Sequence, residues 1–178
     1  MQIPRKIAEE AGLTLIEVLV AVSLMGIMMA LAAPNFTDMQ PGFRTRAAAL
    51  AIAGDINQAR MSAIKEGRVY EYLPITGGYR IRRDDGAGGR EVVKEVVIGT
   101  QYPHVAFGHG GITNDPYAVA IAASSPAATI TFHSDGSVQN PASVYLESAN
   151  RAGAILQAVT MSAAGRVRVW KRSGSVWQ

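Results

Sequence analysis

With 178 residues and no cysteine, the chain is sized for one ordinary domain plus an accessory segment, and disulfides, thiolate metal sites and cysteine nucleophiles are excluded. Apolar residues make up 48% and charged residues only 17%, so part of the apolar sequence is expected to face something other than a soluble core. The net charge of +3 is too small to demand an anionic partner, and where the cations sit matters more than their number.

Residues 1–12 form a short polar leader carrying Arg5 and Lys6, and residues 13–33 follow as an apolar run broken only by Thr14, Glu17, Ser23 and Gly26. As a helix rising ~1.5 Å per residue, that run reaches about 31 Å, close to the hydrocarbon thickness of a bilayer. A single-pass transmembrane helix is expected, with the positive leader cytoplasmic and everything after Pro34 outside the cytoplasm.

Two kinds of processing fit this segment. Ordinary signal cleavage at the small-residue site Ala30-Leu31-Ala32 releases a soluble periplasmic binding domain that begins at Ala33. Against it, the apolar run exceeds the about 7–15 residues of a signal core. A carboxylate, Glu17, also sits near its start, and at a bilayer centre such a group costs ~2.5–3.5 kcal/mol on insertion scales unless it is partnered. Gly26 weakens a helix by roughly 1 kcal/mol relative to alanine and Pro34 removes a backbone donor, so bending is expected there. Close packing of helices in lipid is an equally good use for Gly26.

The string Gly12-Leu13-Thr14-Leu15-Ile16-Glu17-Val18-Leu19-Val20-Ala21 closely resembles the type III signal of type IV pilins and type II secretion pseudopilins. The resemblance implies cleavage after Gly12 by a prepilin peptidase and methylation of the new N-terminus at Leu13. It also implies an inner-membrane anchor, a periplasmic head, and assembly with other pilins or pseudopilins into a filament. Gly26 and Pro34 match a glycine and a proline of pilin helices. Physical chemistry supplies a role for the acid. Cleavage creates an ammonium at Leu13, four residues from Glu17, and in a low-dielectric core of packed helices Glu17 neutralises the amine of a neighbouring subunit and so selects register.

The helix is expected to continue over residues 34–67, interrupted near 41–42 by Pro41-Gly42. Leu50, Ala53, Ile56, Ala59, Ala63 and Ile64 gather on one face that packs on a sheet, and Gly67 ends the helix. Residues 68–178 read as a β-rich head. Strands are expected at 69–73, 79–83, 91–98, near Val105 and Val119, at 129–132, 144–146 and 155–171, with a small-residue loop at 120–128. The fold class is α+β, pilin-like: a long N-terminal transmembrane helix followed by an antiparallel sheet. Three strings, Asp55-Ile56-Asn57-Gln58-Ala59-Arg60-Met61-Ser62-Ala63-Ile64-Lys65, Ile130-Thr131-Phe132-His133-Ser134-Asp135-Gly136 and Ser162-Ala163-Ala164-Gly165-Arg166-Val167-Arg168-Val169, resemble the GspH/FimT type of minor subunit.

No catalytic residue is expected. His133-Ser134-Asp135 holds triad residue types, but adjacent residues cannot reach triad geometry, and Ser-Asp-Gly is turn chemistry. His104 and His109 lack nearby carboxylates or cysteines, so no metal is expected, and Asp84 to Gly89 lacks the lysine of a phosphate loop and the spacing of a calcium loop. It reads as a hairpin tip, and no cofactor is expected.

At the C-terminus, strand alternation sets Arg166, Arg168, Trp170 and Arg172 on one side and Val167, Val169 and Lys171 on the other. Arginines bridge phosphates and tryptophan stacks on bases or guanidinium planes, which makes a strip suited to the backbone of double-stranded DNA. Gly165-Arg166-Val167-Arg168 resembles the C-terminal Gly-Arg-x-Arg element of FimT-type pilins, which implies DNA uptake. Protection of an edge strand by basic residues, or a subunit contact, accounts for the same charges.

Overall fold

The computed structural model describes residues 14–114, 116–117, 129–149 and 156–178, with backbone alone for residues 32–39. Gly12, Leu13, the strand expected near Val119 and the loop at 120–128 lie outside the described residues, as does the side chain of Pro34. The chain divides into two compact units, Met1–Met39 and Gln40–Gln178.

In the first unit the described residues begin the helix α1 (Leu15–Glu66). Thr14 caps it: the Glu17 backbone N–H donates to Thr14 Oγ1 at 3.3 Å and to the Thr14 carbonyl at 3.1 Å, and Thr-x-x-Glu is the spacing of a capping box. Every side chain from Leu15 to Leu31 is exposed, so the helix is apolar around its whole circumference. Among the described residues no helix is long and apolar enough to cross a membrane.

In the second unit α1 runs on to Glu66 as one helix, so the interruption expected near Pro41-Gly42 is absent. Proline there removes one backbone donor from a helix of 52 residues, and the turn that follows is held by the buried Thr45, whose hydroxyl donates to the Pro41 carbonyl at 2.8 Å. The buried stripe is Ala48, Ala49, Ile52, Ala53, Ile56, Ala59 and Ala63. Four of these belong to the expected face, whereas Leu50 and Ile64 are 52% and 43% exposed. Leu50 lies two residues from Ile52, about 200° round the helix, and cannot share its face. Gly67, at φ 64°, ends the helix in the left-handed conformation, and Arg68 N–H donates back to the Ala63 carbonyl at 3.2 Å.

Where one sheet is expected, two antiparallel five-stranded sheets are found. The first has β1 (Tyr70–Ile75), β2 (Gly78–Asp84), β3 (Arg90–Val97), β5 (Ile130–Phe132) and β6 (Val138–Gln139) in the order β3-β2-β1-β5-β6. The second has β4 (Val105–Phe107), β7 (Ser143–Ser148), β8 (Leu156–Met161), β9 (Val167–Ser173) and β10 (Val176–Trp177) in the order β10-β9-β8-β7-β4. A short helix, α2 (Ile98–Gln101), links them where the sequence suggests that β3 reaches Ile98.

The expected strand over 155–171 is two strands. Gly165, at φ 75°, turns the chain, with Gly165 N–H to the Ser162 carbonyl at 2.8 Å and Ser162 N–H to the Arg166 carbonyl at 3.1 Å. Both sheets bury one face with α1 in a single cluster. Tyr70, Tyr72, Tyr79, Ile81, Ile130 and Phe132 come from the first sheet, and Val144, Leu146, Val159 and Met161 from the second. Among the described residues the buried hydrophobic side chains all fall between Ala48 and Met161, so the Gln40–Gln178 unit carries its own core.

Candidate functional site

The three head strings singled out in the sequence meet at Arg60. From the core-facing side of α1 its Nε donates to the Gly136 carbonyl at 2.9 Å, and its guanidinium lies directly against the α-carbon of Gly165, where an added Cβ would fall 2.6 Å from Cζ. Gly136 is also left-handed, at φ 81°. One half-buried cation therefore joins the helix to the β5–β6 turn of the first sheet and the β8–β9 turn of the second. Sequence reasoning quoted Arg60 without assigning it this role. The signal was present in two turn glycines, but only the fold brings them to the same guanidinium.

The turn after Phe132 is structural. Gly136 N–H donates to the His133 carbonyl at 2.9 Å and Ser137 N–H to Asp135 Oδ1 at 2.8 Å. The Ser137 side chain and then its backbone N–H hold the Asp135 carboxyl below the usual carboxylate range. The tip at Asp84 to Gly89 behaves likewise: Asp85 Oδ1 accepts from Ala87 N–H and Gly89 N–H, each at 2.8 Å, which lowers its pKa. Among the described residues no cluster of three or more His, Cys, Asp or Glu could hold a metal ion.

A second polar group ties α1 to the first sheet. Tyr79 O–H donates to Asp55 Oδ2 at 2.5 Å, and Lys94 Nζ donates to Asp55 Oδ1 at 2.7 Å. Tyr72 stacks on Tyr79 with ring centroids 5.0 Å apart. Burial, and for Tyr79 the bond to Asp55 as well, pushes both phenols far above the ordinary tyrosine range. Asp55, Tyr79 and Lys94 are thus bonded to one another, while the buried Tyr72 hydroxyl has no partner among the described residues.

The C-terminal cations lie along β9 and the turn before it. Arg166 is in the turn; Val167 and Val169 pack against the core cluster, and Arg168, Trp170 and Arg172 occupy the opposite face. Arg168 Cζ is 5.8 Å from the Trp170 ring centroid, within cation–π range. Trp170 is committed to the sheet: its indole N–H donates to Thr160 Oγ1 at 2.9 Å, and Tyr117 meets its ring edge-on at 5.7 Å. It is no free platform for a base.

Only the far end of β9 is covered, and Val167 to Trp170 have no strand partner on the side away from β8 among the described residues, which leaves the edge-protection reading open for Arg166 and Arg168. After Gly174, at φ 61°, Val176 and Trp177 fold back to pair with Ser173 and Arg172, and Lys171 and Gln178 exchange two backbone bonds of 2.8 Å. Beside this hairpin is an open cavity of about 710 Å³ lined in part by Gly110, Thr113, Arg172 and Trp177, and there Arg172 Nε is buried with no partner among the described residues.

The two sheets differ in charge pairing. In the first, Arg80, Arg82, Arg83, Arg90 and Lys94 all make ion pairs, to Glu95, Glu71, Glu91 and Glu66, Glu71 and Asp84, and Asp55. Arg166, Arg168, Lys171 and Arg172 make none among the described residues, and the first three are exposed. Glu17 and Gly26, in the other unit, are exposed on α1.

Comparison with known proteins adds four findings. The family model described as "Type II transport protein GspH" matches residues 48–165, and the "Prokaryotic N-terminal methylation motif" matches residues 8–33. No curated protein matches the chain. Among solved structures, the fold is similar to the minor pseudopilin EpsH from the type II secretion system of Vibrio cholerae. One structure of it gives TM-score 0.53 at 11% identity over 71% of this chain and 95% of that one. A crystal structure of the same pseudopilin gives 0.52 at 15% over 72% and 94%. It is also similar to the type IV minor pilin FimU of Pseudomonas aeruginosa, with TM-score 0.50 at 14% identity over 75% and 92%.

Proposed function

The chain belongs to the family of the type II transport protein GspH, and as a non-enzymatic minor pseudopilin or pilin with an N-terminal methylation motif it is, we propose, cut after Gly12 and methylated at Leu13 by a prepilin peptidase. Residues 13–33 then anchor it in inner-membrane lipid, with the head in the periplasm, until it joins the other subunits of a type IV pilus or type II secretion filament. Glu17 pairs there with the Leu13 ammonium of a neighbour, because opposite charges attract far more strongly away from water and a lone buried charge is penalised. Gly26 and Pro34 let the helix adjust as it leaves the membrane.

The observation that carries this reading is the methylation motif over residues 8–33, lying on a helix whose side chains from Leu15 to Leu31 are all exposed and include one carboxylate. No soluble domain needs such a segment, and an ordinary signal core does not need its acid. Mass spectrometry of the mature N-terminus tests it. Methylated Leu13 is expected, whereas a chain beginning at Ala33 makes the protein a secreted periplasmic binding domain and ends the filament reading.

One observation favours an added role in DNA uptake: the cations at Arg166, Arg168 and Lys171 are exposed and unpaired among the described residues, while those of the first sheet are neutralised. Such charges suit the phosphates of double-stranded DNA, and the engaged Trp170 leaves contact to the backbone rather than to bases. For residues 40–178, binding to duplex DNA should weaken steeply with salt. The Arg166→Ala/Arg168→Ala variant should lose roughly 2 units of log–log salt slope, as two phosphate contacts require; an unchanged slope removes the strip from DNA binding.

A further inference from the structure

The outer face of the second sheet carries a cavity with an unused cation in it. Residues 108–114 and Tyr117 lie over that face: Gly108 N–H donates to the Tyr145 carbonyl at 3.1 Å, the Tyr117 and Thr160 hydroxyls are 3.5 Å apart, and the Trp177 indole N–H donates to the Asn114 carbonyl at 3.4 Å. Beneath them Tyr145, Leu156 and Ala158 are buried, although none belongs to the core cluster shared with α1. Where this cover meets the β9–β10 hairpin it leaves the open cavity of about 710 Å³, a volume within the range of ligand sites, about 300–1,000 Å³.

Arg172 is the cation in that cavity. Its Nε is buried, and the described residues give its guanidinium neither a hydrogen bond nor an ion pair. Glu147, which strand alternation sets on the same face of the sheet, does not reach it: β8 lies between β7 and β9, and the Glu147 carboxylate packs against Gly108. Among the described residues no acid lines the cavity. A half-buried cation without a counter-charge is penalised, so a ligand that brings one negative charge recovers that cost.

The rest of the lining suits a chain that carries that charge at its end. Gly110 and Gly111, at φ 57° and 75°, expose only backbone, and neither N–H is bonded to a backbone carbonyl among the described residues. Val176 lies on β10, the last strand of its sheet, so one side of its backbone is open to an added strand. We propose that the cavity takes the C-terminal end of an extended peptide, with its carboxylate on the Arg172 guanidinium, its last amide groups on the Gly110–Gly111 backbone and the β10 edge, and an apolar last side chain against Trp177. The planar fork of an arginine matches the two oxygens of a carboxylate, and one arginine balances its single charge, whereas a phosphate monoester carries nearly two.

This site stands apart from the filament and DNA readings, and its test can fail without touching either. The probe is a fluorescein-labelled pentapeptide ending in leucine, made with a free carboxylate and as the C-terminal amide. In fluorescence anisotropy with residues 40–178 at ~50 mM salt, the acid should bind about tenfold or more tightly than the amide. Arg172→Gln should erase that preference, while Arg168→Gln, on the same face of the same strand, should retain it. Ser175→Trp, at an exposed position on the cavity wall, should block both peptides and leave the urea midpoint unchanged.

Equal binding of acid and amide, binding of neither at ~1 mM peptide, or a preference that survives Arg172→Gln overturns the proposal. So does displacement of the labelled acid by inorganic phosphate or duplex DNA at a lower concentration than by the unlabelled acid, which would make Arg172 a general anion contact. If Arg172→Gln does not fold, Ser175→Trp decides alone, because it leaves the arginine in place: peptide binding that persists in it lies elsewhere and overturns the assignment.

Discussion

Substituting Gly165 by alanine should expose the junction at Arg60 as an energetic unit. Two costs are visible. At φ 75° a non-glycine residue pays ~1–2 kcal/mol for the left-handed conformation. The new methyl also meets the Arg60 guanidinium, which must shift and give up its 2.9 Å bond to the Gly136 carbonyl, a hydrogen bond from a charged donor worth ~1.5–3 kcal/mol. Gly165→Ala should therefore destabilise residues 40–178 by about 2.5–5 kcal/mol, and with an m-value of ~2 kcal/mol/M the urea midpoint should fall by roughly 1–2.5 M. In an Arg60→Ala background the second cost has already been incurred, so the same substitution should cost only ~1–2 kcal/mol. Urea unfolding of the four proteins of this double-mutant cycle measures the coupling directly. Equal losses in both backgrounds would refute the claim that Arg60 joins the two turns.

Ile52→Ala should cost ~2–5 kcal/mol in urea unfolding, as expected for a fully buried side chain, and Leu50→Ala less than ~0.5 kcal/mol; comparable losses would mean that the buried face of α1 is misassigned. Asp85 and Asp135 have pKa values lowered by hydrogen bonds in the folded state, so each contributes stability present above the unfolded value of ~3.9 and lost as pH falls through the lower folded value. Thermal melts from pH 7 to 2 should show a loss below about pH 4 that is shallower in Asp85→Ala/Asp135→Ala, and an unchanged acid limb would contradict this. Tyr72 and Tyr79 have raised pKa values, so their contribution is complete below ~10 and is lost as pH climbs through the folded values. Absorbance at 295 nm near pH 11 should therefore show these two of the six tyrosines protonated until the head unfolds, and ionisation of all six in the folded protein would be incompatible with their burial.

Local order made much of this protein legible in advance. The α+β class, the apolar segment with its lone carboxylate, the glycine stop at Gly67 and the hairpin tip at Asp84 to Gly89 follow from hydropathy, spacing and turn chemistry within a few residues of each position, whereas the pilin-like assignment followed from the resemblance of the quoted strings. The same reasoning failed where distant residues decide the outcome. Periodicity over 44–66 gathered Leu50, Ala53, Ile56, Ala59, Ala63 and Ile64 on one face, but Leu50 and Ile64 are exposed and Ile52 is buried, because Ile52 and Leu50 are equally apolar and only contact with the sheets separates them. A proline-glycine pair that reads as a break is carried through as helix next to a buried, hydrogen-bonded Thr45. The run over 155–171 looked continuous, yet Gly165 in the left-handed conformation turns it at bonds between Ser162 and the residues 165–166. Which cations remain free was also a tertiary outcome: Arg83 finds Glu66 and Glu91, whereas Arg168 finds an indole. Sequence alone thus determined the apolar run, the helix and its glycine stop, since these depend on neighbours along the chain. The buried face, the two-sheet division and the unpaired basic strand were decided by tertiary structure, because each depends on groups that only folding brings within contact distance.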